Sequence, residues 1–125
     1  MKTVVKIFAA LAAVAATPAL AAPPDQPLAS LFKNPQCGCC ESYADYLRDN
    51  GFTVTVKPTH ELVTMSHEAG IPDDFQGCHL AFIDNYVISG HVPIATVNRL
   101  ISERPDIKGV TLPGMPRKRT LICLY

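Results

Sequence analysis

Residues 28–57 read LASLFKNPQCGCCESYADYLRDNGFTVTVK, and the order of patterns inside this stretch decides the fold. Leu28 to Phe32 is a short apolar run that reads as a buried strand. Asn34-Pro35-Gln36 breaks it and delivers the chain into Cys37-Gly38-Cys39-Cys40. From Glu41 to Asn50 the residues Tyr43, Tyr46 and Leu47 share one face at helical spacing, and Asn50-Gly51 is a helix stop. Phe52, Val54 and Val56 then alternate with Thr53, Thr55 and Lys57, the period of a strand. Strand, helix and strand with short connections form a βαβ unit, whose crossover is right-handed.

Downstream, Thr59 to Ala69 is a second helix with Leu62, Val63 and Met65 as its apolar residues, ended by Gly70-Ile71-Pro72-Asp73-Asp74. His79 to Ile83 and Tyr86 to Ser89 are two short strands joined by the two-residue turn Asp84-Asn85, a hairpin. Pro93 opens a last helix in which Ile94, Val97, Leu100 and Ile101 line one side, and Pro105 ends it. The order β-α-β-α-β-β-α is the plan of a single thioredoxin-like α/β domain. In that plan the segment entering the third strand, here Gly77-Cys78-His79, runs beside the N-terminus of the first helix. The two sulfur groups, about 40 residues apart in the sequence, are therefore expected to meet.

Upstream, Lys2 and Lys6 give a positive start, Ile7 to Ala16 is apolar, Pro18 breaks a helix, and Ala19-Leu20-Ala21 is a small-x-small cleavage pattern. The run is too short to cross a bilayer, which takes about 20 apolar residues. Residues 1–21 thus read as a secretory signal peptide and 22–125 as the exported, periplasmic domain, with its core at about 28–116. The signal removes two of the 11 basic residues and none of the 11 acidic ones, leaving a charge of −2 with histidine neutral. No basic stripe points to nucleic acid, and no second apolar segment points to a membrane.

Export changes what cysteines mean, because an oxidising compartment drives exposed thiols into disulfides unless a metal or a reductant protects them. Five cysteines is an odd number, and four fall in two groups, Cys37-Gly38-Cys39-Cys40 and Cys78-His79. Three sulfurs in four residues exceed the need of one redox pair. Thiolates crowded on one loop repel each other unless a cation or a disulfide neutralises them, and soft Cu(I) or Zn(II) does so. Cys39 and Cys40 at a helix start also gain from the unpaired N–H groups and the positive dipole end, which favour thiolate. Cys37 and Cys40 have CxxC spacing, so a disulfide between them with Cys39 as a buried small hydrophobe is the competing reading.

Zinc sites take four ligands in paired CxxC-like spacings, whereas this chain offers a cluster plus a single, with methionine and histidine nearby. That donor set suits Cu(I), and bridging thiolates can hold more than one such ion. His91, in Gly90-His91-Val92-Pro93, could be a peripheral ligand or a proton-handling neighbour, but its position alone reads as a surface or capping histidine. Met115, in Pro113-Gly114-Met115-Pro116, is a thioether in a stiff turn with little core to plug. His60 and His67 read as solvated, and Tyr43, Tyr46 and Tyr86 as packing residues.

Pro35-x-Cys37-Gly38-Cys39-Cys40, Gly51-Phe52-x-Val54, Cys78-His79, Tyr86-Val87-Ile88-x-Gly90-His91-Val92-Pro93 and Leu112-Pro113-Gly114-Met115-Pro116, in that order, resemble the CopG-type copper-resistance proteins. These are small periplasmic proteins whose domain was long described as of unknown function. The resemblance implies a thioredoxin-like fold, Cu(I) held by the CxCC and CH cysteines, and a role in copper resistance with copper redox interconversion. Carried over by position, the thiolates are Cys37, Cys39, Cys40 and Cys78, while His79, His91 and Met115 match motif positions. The chain departs from the family after Met115-Pro116, where Arg117 to Tyr125 replaces a Gly/Ser/Pro/Met-rich tail, and Cys123 has no counterpart. The expectation is a copper protein that sequesters copper or passes it to other periplasmic copper-handling proteins, with copper oxidoreductase activity in view. Its rivals are a thiol–disulfide oxidoreductase using Cys37 and Cys40, and a zinc-stabilised module.

Overall fold

The structure, a computed structural model, describes residues 26–113. Its elements in chain order are β1 (Leu28–Lys33), α1 (Gly38–Asp49), β2 (Thr53–Pro58), α2 (Leu62–Glu68), a 3-10 turn (Asp73–Phe75), β3 (His79–Ile83), β4 (Tyr86–Ser89), α3 (Ile94–Glu103) and β5 (Gly109–Thr111). The strands form one sheet in the order β2-β1-β3-β4-β5. β1 runs parallel to β2 and antiparallel to β3, β3 is antiparallel to β4, and β4 is parallel to β5. This is the thioredoxin-like order expected from the sequence, with one strand added at the edge.

Strand alternation divides the sheet into two faces. Ala29 and Leu31 pair in register with Ile83 and Ala81, and Tyr86 and Ile88 continue the row on β4. Together with Cys40, Tyr43, Ala44 and Leu47 of α1 and Val97 and Leu100 of α3 they make the core. Removing one such leucine from water contributes about 2 kcal/mol. The other face carries Phe32 and Phe82 edge to face at 5.8 Å, with the Lys57 ammonium over the Phe32 ring. α2 contacts β3.

Several boundaries differ from the sequence reading, β2 among them, which runs Thr53–Pro58 rather than Phe52 to Lys57. α1 begins at Gly38 rather than Glu41, which places Cys39 and Cys40 inside its first turn with Cys37 at the N-cap. α2 is shorter at both ends than Thr59 to Ala69, because only Ser66 on it is buried and Val63 is left facing solvent. β1 extends through Lys33, whose side chain is buried. The 3-10 turn and β5 were not legible: each has three residues, too few to show a period. The signal segment 1–21, Met115 and Cys123 lie outside the described residues. Among the described residues no helix is long and apolar enough to cross a membrane.

Candidate metal centre

Two elements deliver the sulfurs. The loop after β1 closes with the Cys37 N–H donating to the Asn34 carbonyl at 3.0 Å and turns straight into α1. Just before β3, Gly77 precedes Cys78 and packs backbone to backbone against Gly90. A Cβ at Gly77 would overlap the Gly90 Cα and N, and one at Gly90 would overlap the Leu112 carbonyl, so the chain approaches here only because both residues lack a side chain. The Gly77 N–H donates to the buried Ser89 hydroxyl at 2.9 Å, and the Gly90 N–H donates to the His79 carbonyl at 3.1 Å. These contacts fix Cys78-His79 beside Gly90-His91.

The sulfurs of Cys37, Cys39, Cys40 and Cys78 all lie within 4.8 Å of one another. The meeting inferred from element order is thus present in the structure. Cys37 and Cys40 form a disulfide, Cys39 Sγ sits 3.5 Å from Cys37 Sγ, and the Cys40 Sγ lies 3.3 Å from the Cys78 carbonyl oxygen. Cys78 is a free thiol, and its burial raises its pKa, so without a metal it holds its proton. The disulfide is the pairing that CxxC spacing allows, and the free thiol of Cys78 lies beside it. A cleft of about 330 Å³, lined by Asn34, Gln36, Cys37, Leu62 and Cys78, opens on the site.

Behind the sulfurs stands a column of rings. Tyr43 of α1 stacks on His79 at 4.5 Å between centroids, and His79 meets His91 edge-on at 5.0 Å. Cys78 Sγ is 3.5 Å from His79 Nδ1. The ligand atoms of Cys78, His79 and His91 again fall within 4.8 Å of one another. His79 has no solvent exposure, and burial, with the neighbouring His91, lowers its pKa from 6.5 to about 3. Burial also lowers His91. Both rings are therefore neutral bases at physiological pH. His79 Nε2 and both His91 nitrogens are buried without a hydrogen-bond partner among the described residues. Each such orphan costs about 1–3 kcal/mol, and an unshared lone pair on a buried ring nitrogen is what a metal ligand presents.

His91 corrects the reading of it as a surface or capping histidine. It is buried, and the N-cap of α3 is Pro93. Its local sequence carries no period that would report burial, and it follows Gly90, which packs on Gly77. His67 fits its solvated reading, exposed and paired with Asp73, and His60 is exposed as well. Lys33 was missed altogether. A buried lysine at the end of an apolar strand leaves no mark in a hydrophobic pattern, yet its Nζ lies under the cysteine loop, 3.2 Å from the Cys37 carbonyl and 3.2 Å from Glu41 Oε1.

Two solved structures are similar to this chain over most of its length. "Copper resistance protein copG- Form 2" shares 32% identity with a TM-score of 0.70, covering 74% of this chain and 73% of that one. "Copper resistance protein copG- Form 1" shares 34% identity with a TM-score of 0.67, covering 71% of this chain and 70% of that one. Residues 75–119 match the family described as "Protein of unknown function, DUF411". None of the curated proteins matches the chain. With the same α/β fold, identity above 30% across nearly three quarters of both chains, and the family match spanning Cys78, His79 and His91, the chain belongs to the CopG-type copper-resistance family.

Proposed function

We propose that this protein binds copper as Cu(I) through the thiolates of Cys37, Cys39, Cys40 and Cys78, with His79 and His91 as adjoining nitrogen donors, and that it serves copper resistance in the periplasm. The observation that carries the reading is the convergence of four sulfurs within 4.8 Å, backed by buried ring nitrogens without partners. Thiolate and imidazole together suit a soft, low-coordinate ion, and neighbouring thiolates can bridge more than one Cu(I). Copper here is cargo, held for sequestration or transfer to other copper-handling proteins. Met115, a residue of the matched segment, would add a thioether. Residues 1–21 would be the cleaved export signal, leaving 22–125 as the working domain.

The Cys37–Cys40 disulfide sets a condition. These two sulfurs must first accept two electrons and two protons from a reductant, and copper then displaces protons from the thiols. Redox interconversion of copper is in keeping with a site that holds both thiolate and imidazole. The test is an anaerobic titration of fully reduced protein against a Cu(I) chelator. Cys37→Ser and Cys40→Ser should each lose most of the affinity, and unchanged affinity in both overturns the reading.

The same disulfide favours a second reading, a thiol–disulfide oxidoreductase in which Cys37, next to the cleft, is the attacking sulfur. The two separate in one experiment. An oxidoreductase loses disulfide exchange with a model thiol in Cys37→Ser and keeps it in Cys78→Ser, whereas the copper protein loses Cu(I) in both.

A further inference from the structure

Lysine is almost never fully buried unless its charge is paired, and Lys33 is only 3% exposed. It sits on the core face of β1 in register with His79 of β3 and Pro58 of β2, at the point where the strand becomes the cysteine loop. Among the described residues, the hydrogen-bond and ion-pair partners of its ammonium belong to that loop or to the first turn of α1. Nζ lies 3.4 Å from the Asn34 carbonyl, 3.4 Å from that of Pro35, 3.2 Å from that of Cys37 and 3.2 Å from Glu41 Oε1. An ammonium has three protons to donate, so they are shared among four acceptors that surround one centre. Three loop carbonyls held this way fix the backbone from residue 34 to residue 37. They also point their negative ends at Lys33.

We propose that Lys33 is a positioning residue of the sulfur site: it holds the cysteine loop in the shape that brings its three sulfurs to one centre, and its fixed charge, with the N-terminus of α1, favours the anionic reduced loop over the Cys37–Cys40 disulfide. Lys33 acts through the loop and touches no cargo. A lysine serving only to fill space would not need a buried charge, since a methionine or leucine could plug the end of a strand without the desolvation cost. Glu41 tempers the effect, because its carboxylate offsets part of the ammonium's charge from a half-exposed position. The two residues are therefore expected to act on the loop with opposite signs. The importance for copper rests on the proposed function, whereas the action on the disulfide does not.

The experiment equilibrates metal-free protein, at one pH, with mixtures of reduced and oxidised dithiothreitol. The protein disulfide opens as the dithiothreitol disulfide closes, two electrons passing from reagent to protein while the reagent's two thiol protons go to the protein or, where a sulfur stays thiolate, to the buffer, and alkylation followed by mass spectrometry counts the two forms. Lys33→Met should shift the equilibrium about tenfold toward the disulfide, about 30 mV for a two-electron couple. Lys33→Arg should restore at least half of that shift on a logarithmic scale, and Glu41→Gln should move it the other way. Equal potentials in wild type and a folded Lys33→Met overturn the proposal, as does a shift in Glu41→Gln of the same sign as that in Lys33→Met. Should Lys33→Met fail to fold, Glu41→Gln decides alone, and an unchanged potential there overturns the proposal. A parallel Cu(I) titration against bicinchoninate separates the two ideas: wild-type protein that takes no Cu(I) overturns the copper reading, while Lys33 stands or falls on the potential.

Discussion

His79 holds its Nδ1 toward the Cys78 sulfur and its Nε2 against no partner, in a place water does not reach. Its folded pKa of about 3 against 6.5 when free has a definite sign for stability. As the pH falls through about 6.5 the unfolded chain takes up a proton at His79, and the folded protein does not do so until about 3. The unfolded state binds more protons across that window, so the metal-free fold loses up to about 1.4 kcal/mol per pH unit on this account. His79→Phe keeps a flat ring on Tyr43 and should remove that slope, measured as the difference between the two proteins' unfolding free energies at pH 7 and pH 4. A parallel pH dependence in both would show that His79 is not held neutral. Gly77 makes a second residue-level test. Gly77→Ala forces the backbones of Gly77 and Gly90 apart, with a loss of about 1–3 kcal/mol typical of overpacking and a weaker hold on Cu(I).

Among the elements, α1 ties the two halves of the site together. It opens with the cysteines, and one turn on its Tyr43 hydroxyl donates to the Val92 carbonyl at 2.8 Å, while Tyr46 accepts from the Ile94 N–H at 2.9 Å. The second bond satisfies one of the N–H groups that the start of α3 leaves open. Tyr46→Phe should therefore cost about 1 kcal/mol and speed amide exchange in the first turn of α3 before any other element, which hydrogen exchange resolves. The packing role of these tyrosines was legible from their helical spacing with Leu47. Their hydroxyl partners were not, since Val92 and Ile94 are more than 45 residues away. The hairpin was read to the residue, because Asp84-Asn85 is a strong local turn signal and Asp84 does adopt a positive φ of 52°. β5 was invisible for the opposite reason: its three residues earn their place only by pairing with β4.

Across the whole molecule, the element order was enough to bring Cys78 to the cysteine loop, and nothing local in the sequence links them. The inward turn of His91 and the burial of Lys33 were not legible, because each depends on a close approach of two chain segments that no periodicity records. The fold thus assembles sulfur from a loop and a strand start, backs it with neutral imidazole, and sets a buried ammonium under the loop. On the proposed reading these sulfurs act as one copper site. Alkylation of Cys78 in fully reduced protein, mapped by mass spectrometry with and without stoichiometric Cu(I), tests it most directly. Cu(I) should protect Cys78 together with Cys37, Cys39 and Cys40, and Cys37→Ser should release that protection. Cys78 alkylating equally fast in copper-loaded and copper-free protein would contradict it.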